Sequence, residues 1–209
     1  MNLTNYYWYF KSVIPERICD DIVKYGHQLQ DQMAVTGGYN NKKINTNQLK
    51  DLKKKRHSNV VWMSDRWVYK EIHPYIHQAN ENAGWNFDWN FSEACQFTKY
   101  KKGQFYDWHC DSWDQPYHRD DPNDRSHGKI RKLSVTVTLS DPKDYKGGEL
   151  EFDFRNQDPN KKRNVHKCTE ILPKGSLVVF PGFVWHRVCP VKSGERNSLV
   201  IWNLGYPYK

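Results

Sequence analysis

Long apolar runs are missing from this 209-residue sequence. Nowhere does it approach the roughly eighteen apolar residues that a membrane span requires, and Met1 to Phe10 lacks the charged and then apolar order of a secretory leader. The expected location is therefore the cytoplasm, with no membrane partner. Cysteine is sparse as well: Cys19, Cys95, Cys110, Cys168 and Cys189 are odd in number, widely spaced and free of any C-x-x-C pattern. That argues against a disulfide frame or a thiolate zinc site and predicts reduced, mostly buried thiols. The hydrophobic fraction is only 37%, yet aromatics reach 15%, with nine Trp and thirteen Tyr, so large rings supply the apolar area. A core of that kind argues against whole-chain disorder, and the length suits a single domain spanning 1–209.

Acids are scarce where bases cluster. Seven basic residues lie between Lys42 and Arg56 with Asp51 as the only acid, and the formal net charge is +8. Clustered bases gain affinity for phosphates by releasing counterions, which keeps a nucleic-acid partner as an alternative. Charge runs are nevertheless usually solvated faces, and the run is read here as a solvated loop, like Lys161, Lys162 and Arg163.

Pro15 opens a segment in which Ile18, Ile22, Tyr25 and Leu29 recur at helical spacing, predicting a helix that ends near Gln32. Thr36 to Asn59, rich in Gly, Asn and Lys without a sustained apolar period, reads as a long mobile loop. A second helix is expected over Asp65 to Asn82, with Trp67, Ile72, Tyr75, Ile76 and Ala79 as its buried face, Pro74 inside it and Gly84 closing it. From Phe91 onward the texture turns to short β-type runs: Cys95 to Tyr100, Phe105 to Asp111, Leu133 to Leu139, Leu150 to Phe154, Thr169 to Leu172, Leu177 to Phe180 and Ser198 to Leu204. The fold class expected is α+β, an antiparallel sandwich or jelly roll in 91–209 with helices of a supporting region, 1–90, packed on one face.

In Tyr106-Asp107-Trp108-His109-Cys110-Asp111, the imidazole of His109 and the carboxylate of Asp111 are two residues apart, so on a strand they share a face while Trp108 and Cys110 point away. Gly175 to His186 reads as a glycine-started apolar strand, a Pro-Gly turn and a histidine able to face a barrel interior. Two histidines and a carboxylate form a facial triad that leaves adjacent positions on a metal open. Ten residues after His186, Arg196 begins a strand whose alternation puts Arg196, Ser198, Val200 and Trp202 on one face. A buried guanidinium needs an anion, and no acid recurs on that face, which points to a ligand carboxylate. His118, Asp120, Asp121, Asp124 and His127 lie among Pro and Asp turns and read as a solvated lid.

These stretches resemble the iron(II) and 2-oxoglutarate-dependent oxygenases, in the prolyl 4-hydroxylase-type branch. The likeness rests on Tyr100-Lys101-Lys102-Gly103 followed by His109-Cys110-Asp111, on Lys146-Gly147-Gly148-Glu149-Leu150, and on His186 with Arg196. The resemblance implies a double-stranded β-helix core and Fe(II) held by His109, Asp111 and His186. It further implies that Arg196 receives the far carboxylate of 2-oxoglutarate, with Tyr100 and Thr138 assisting and Trp202 walling the pocket. The implied reaction hydroxylates an unactivated C–H bond and releases succinate and carbon dioxide, with ascorbate as a reductant. The expected substrate is a peptidyl proline gripped between Thr36 to Asn59 and a lid from Trp113 to Lys129, where Trp113 and Tyr117 suit an extended proline-rich ligand. A free amino acid or other small molecule, a methylated nucleic acid, and a cupin-like binding module without turnover are the alternatives. The demethylase branch carries a second arginine about six residues after the first, where this chain has Ile201 and Trp202.

Overall fold

The computed structural model describes residues 3–30, 32–34, 46–112, 115–155 and 160–208. The larger sheet runs from edge to edge as β1 (Trp8–Phe10), β12 (Leu177–Pro181), β8 (Ile130–Thr138), β15 (Arg196–Gly205), β6 (Cys95–Tyr100), β4 (Asn59–Met63) and β2 (Gln32–Met33), with β5 (Phe91–Ser92) paired to the end of β15. The smaller sheet runs β11 (Val165–Lys167), β10 (Leu150–Asp153), β13 (His186–Val188), β7 (Phe105–His109) and β3 (Arg56–His57). A ribbon of β9 (Tyr145–Gly147) and β14 (Val191–Gly194) stands apart from both. Neighbouring strands are antiparallel throughout these pairings.

Alternation along the central strands sorts the side chains into two clusters. Leu133, Val135 and Val137 of β8, Leu199 and Ile201 of β15, and Phe97 of β6 face outward. There they meet Ile18, Cys19 and Ile22 of α1 (Glu16–Gln28) and Val68, Ile72, Ile76 and Ala79 of α3 (Arg66–Asn82). The intervening residues Val178 and Phe180 of β12 face inward and pack with Leu150, Phe152 and Val188 of the smaller sheet. The inner face also carries a row of buried hydroxyls, Thr98, Ser134, Thr136, Thr138 and Ser198. Opposite Cα positions bring Ser198 beside both Thr138 and Thr98. An apolar outer face with a polar buried inner face is the arrangement expected when the space between two sheets takes a polar ligand.

Several expectations need correction. The first helix stops at Gln28, with Leu29 already extended, four residues before the expected end. In α3 the buried face uses Val68 while Trp67 stays exposed, because Val68, Ile72, Ile76 and Ala79 keep the helical spacing toward the sheet. Thr36 to Asn59 is not a continuous loop: Thr46–Lys55 forms α2, anchored by buried Leu52, and β3 and the start of β4 follow. Residues 36–45 of that stretch lie outside the described residues. Thr169 to Leu172 forms a turn closed by the Leu172 amide donating to the Thr169 carbonyl (3.3 Å), and the strand sits earlier, at β11. Ile171 in that turn is buried for packing, which explains its strand-like appearance. Among the described residues no helix is long and apolar enough to cross a membrane, and all five cysteines are free.

Gly26 of α1 lies directly over the ring of Phe97; a Cβ there would stand 2.5 Å from Phe97 Cδ1. Gly26→Ala is expected to lower stability by about 1–3 kcal/mol despite its better helix propensity, because the ring is fully buried and has nowhere to retreat. Urea denaturation measures this, and an unchanged or higher midpoint would refute it.

Candidate active site

His109 ends β7 and His186 begins β13, and their Cα atoms are register partners across the antiparallel pair. Their rings lie 4.1 Å apart between centroids. The sequence reading put Asp111 on the same strand, but β7 stops at His109 and Asp111 lies in the bend beyond it. Its position comes instead from the Gly182 carbonyl, which accepts the amides of Asp111 (2.8 Å) and Ser112 (2.9 Å). Gly182 belongs to the Pro-Gly turn that delivers His186, so one turn fixes both ligand-bearing segments. A Cβ at Gly182 would meet the Arg131 carbonyl at 2.6 Å, which requires glycine at this crossing.

One donor atom from each of His109, Asp111 and His186 lies within 4.8 Å of the others, and this is the one such group among the described residues. Each histidine has its Nδ1 on a carbonyl two residues earlier, Asp107 O at 2.7 Å and Val184 O at 2.9 Å. A carbonyl only accepts, so Nδ1 carries the proton and Nε2 keeps its lone pair. Those Nε2 atoms face the Asp111 carboxylate at 3.8 Å and 3.6 Å. Ser134 donates to Asp111 Oδ2 at 2.7 Å, holding the carboxylate from the larger sheet. Oriented imidazoles with a hydrogen-bonded carboxylate fit a divalent cation.

The electrostatics agree with that fit. Burial and the neighbouring His186 push the His109 imidazole well below its usual range, which keeps it neutral. Burial alone would raise the Asp111 carboxyl, but His186, His109, Arg131 and the Ser134 hydroxyl outweigh it and hold it at about 2. Neutral imidazole and ionised carboxylate are the forms that bind metal.

Arg196 is 3% exposed, and its one hydrogen bond among the described residues is from Nη1 to Ser198 Oγ at 3.2 Å. No acid among the described residues pairs with it. Its guanidinium lies 5.5 Å from the centroid of the Tyr100 ring, its cross-strand partner. Gly148 lets the backbone pass close by: a Cβ there would stand 2.8 Å from Arg196 Cδ, and its φ of +67° is one that only glycine adopts freely. Thr138 is buried opposite Ser198 on the same face. Trp202 stands opposite Ser134, and its buried Nε1 has no acceptor among the described residues.

The structure adds residues that the sequence reading passed over. Arg131 stacks 3.8 Å over the Trp202 ring and forms a two-pronged bond to Glu93, with Nε to Oε1 at 3.0 Å and Nη2 to Oε2 at 2.5 Å. The Tyr117 hydroxyl donates to the same carboxylate at 3.1 Å. Tyr106 stacks on His109 at 3.5 Å, and the Arg56 guanidinium lies over the Tyr106 ring, 4.4 Å from its centroid. Arg56, counted above in a solvated charge run, is 5% exposed: β3 pairs with β7 and draws it under the sheet. Pairing at this distance in sequence leaves no local signal. Trp108 faces away from the triad as expected, with Arg163 and Arg187 over its ring at 4.9 and 4.8 Å. Asp120, Asp121 and Asp124 stay exposed in turns, while Trp113 lies outside the described residues.

A family model described as the 2OG-Fe(II) oxygenase superfamily matches residues 95–203, more than half of the chain. The chain belongs to this superfamily. A PKHD-type hydroxylase of Shewanella baltica is 36% identical over 107 residues, which are 51% of this chain and 40% of that protein. One from Hyphomonas neptunium is 44% identical over 71 residues, 34% of this chain and 27% of that protein. The chain thus matches well under half the length of these curated relatives. Among solved structures, the viral collagen prolyl hydroxylase of Paramecium Bursaria Chlorella virus-1, in complex with 2OG, superposes with a TM-score of 0.60 at 22% identity over 96% of both chains. A Pseudomonas putida prolyl-4-hydroxylase gives 0.57 at 20% identity, covering 96% of this chain and 94% of that one. At these identities the likeness is one of fold. Membership of the superfamily implies Fe(II) and 2-oxoglutarate, and the donor set described above suits them.

Ser134→Ala is expected to weaken divalent metal binding by about 10- to 100-fold, since it frees the Asp111 carboxylate. Competition with a chelator for Mn(II), alongside an unchanged melting curve, measures it; unaltered affinity would show that the hydroxyl does not orient the ligand.

Proposed function

We propose that this protein is a 2-oxoglutarate-dependent hydroxylase in which His109, Asp111 and His186 hold Fe(II) within a double-stranded β-helix. The observation that carries the reading is the pairing of that donor group with a second feature, the buried Arg196 that no acid among the described residues answers. A zinc hydrolase would share the donor types but give this guanidinium no task. When bound, Fe(II) and 2-oxoglutarate would activate dioxygen, one of its oxygen atoms entering succinate as 2-oxoglutarate loses carbon dioxide and the other replacing hydrogen by hydroxyl at an unactivated C–H bond, with ascorbate serving to keep the iron reduced.

The chain's own residues supply position and charge. Arg196 receives the far carboxylate of 2-oxoglutarate through its two-pronged fork, and Tyr100 and Thr138 add hydroxyls on the same face. Trp202 closes the wall between that pocket and the Asp111 carboxylate, and Ser134 keeps the carboxylate aimed. The two carbonyls on Nδ1 hold both imidazoles in the tautomer that offers Nε2. Residues 1–209 act as one catalytic unit, with 1–90 buttressing 91–209.

The substrate class proposed is a prolyl residue in a peptide. Prolyl hydroxylases share this fold, and one from Trichoplax adhaerens was solved with a hypoxia inducible factor peptide fragment. Tyr117 and exposed Trp62, the latter 6.1 Å from the Trp202 ring, offer aromatic surface at the rim for a proline-rich segment.

Succinate release in the presence of Fe(II), 2-oxoglutarate and ascorbate, across proline-containing peptides, free amino acids and methylated oligonucleotides, tests the reaction and its substrate together. His186→Ala is expected to abolish release while leaving the circular dichroism spectrum intact; normal turnover would overturn the triad. Arg196→Lys is expected to raise the 2-oxoglutarate requirement about ten- to a hundredfold, and an unchanged requirement would remove Arg196 from the site.

A further inference from the structure

Arg56 poses a problem that the proposed reaction does not use. It is 5% exposed, its Nε donates to Ser58 Oγ at 3.0 Å, and its buried Nη2 has no acceptor among the described residues. No carboxylate among the described residues pairs with it. Its Cα is the register partner of Tyr106, and directly opposite residues of an antiparallel pair present their side chains on one face. That face is the inner one, because Tyr106 stacks on His109 at 3.5 Å with the rings within 14° of parallel. Arg56, Tyr106, His109 and His186 therefore form a column from the edge of the smaller sheet to the triad, with steps of 4.4, 3.5 and 4.1 Å.

A guanidinium stripped of water needs more than a ring face. Stacking on Tyr106 returns only part of the lost hydration, and Ser58 supplies one neutral acceptor. Arg131, by contrast, is satisfied by Glu93 from within the chain. Arg196 and Arg56 are the two buried guanidinia of the cavity that no acid among the described residues answers.

We infer that Arg56 is a second carboxylate anchor of the active site, donating Nη2 to an anionic oxygen brought in by a bound ligand. This rests on the oxygenase reading for the identity of the cavity and deepens it by assigning a recognition residue from β3. Two sources supply the same chemistry, a carboxylate of 2-oxoglutarate or a carboxylate of the primary substrate.

The test uses wild type, Arg56→Gln and Arg56→Lys, each loaded with Mn(II) without turnover and titrated calorimetrically. The ligands are 2-oxoglutarate, 2-oxopentanoate, which lacks the distal carboxylate, and the pairs L-proline with L-prolinamide and a proline-containing peptide acid with its amide. Arg56→Gln is expected to weaken at least one carboxylate ligand on the order of thirtyfold or more, with Mn(II) affinity and ligand-free melting temperature unchanged and Arg56→Lys recovering part of the loss. Equal loss for both oxoacids assigns Arg56 to the carboxylate beside the 2-oxo group, and loss for 2-oxoglutarate alone assigns it to the distal one. Loss for the proline acids but not their amides assigns it to the substrate. If Arg56→Gln binds every ligand as the wild type does, the inference is overturned. It is also overturned if oxoacid affinity falls only in step with Mn(II) affinity, for then Arg56 acts through Tyr106 on His109. A wild type that binds Mn(II) but no oxoacid overturns the oxygenase reading itself, and this inference with it.

Discussion

The antiparallel pairing of β7 with β13 is the constraint from which the site follows. It sets His109 across from His186, 77 residues later in the chain, and leaves each ring free to turn its Nε2 inward. The third donor is not carried by that ladder. Asp111 sits past the strand end and is captured by the Gly182 carbonyl, which belongs to the turn leading into His186. The smaller sheet thus supplies two donors by register and the third by a clamp, while Ser134 of the larger sheet closes on the carboxylate from the opposite side. Both sheets must be in place before the donor group exists, so the centre is a property of the packed sandwich rather than of any one strand.

Charge inside the cavity is unbalanced in a consistent direction. His109 is kept neutral by burial and by its partner ring, Asp111 is held ionised, and Arg131 is neutralised by Glu93. What remains are Arg196 and Arg56, buried donors without anions among the described residues, together with the Nε1 of Trp202, which has no acceptor among them. Unanswered buried donors cost stability unless a ligand brings acceptors. An anionic, acceptor-rich guest answers such donors, and 2-oxoglutarate, which membership of the superfamily implies, is a dicarboxylate.

Much of this was legible in the residues themselves. The apolar strand and Pro-Gly turn before His186 and the strand from Arg196 to Trp202 depend on local chain geometry and lie where local reasoning located them, whereas Asp111 joins His109 from the bend past β7 and not from the strand itself. Boundaries were less secure where packing overrides propensity. Thr169 to Leu172 looks like a strand because Ile171 must be buried, yet the chain turns there; Trp67 looks like core, yet Val68 is the residue that faces the sheet.

Local pattern by itself determined which residues are chemically competent, because alternation and turn chemistry act over a few bonds. Tertiary structure alone decided what surrounds them. Arg56 lies in a run of lysines and carries no sequence mark of burial, since β3 owes its place to hydrogen bonds with β7 about fifty residues away. The Glu93 partner of Arg131 and the Ser134 hydroxyl on Asp111 are likewise joined only when distant strands meet. Burial turns an ordinary surface guanidinium into one that demands an anion, and burial is a collective outcome of sheet packing that no stretch of the chain encodes alone.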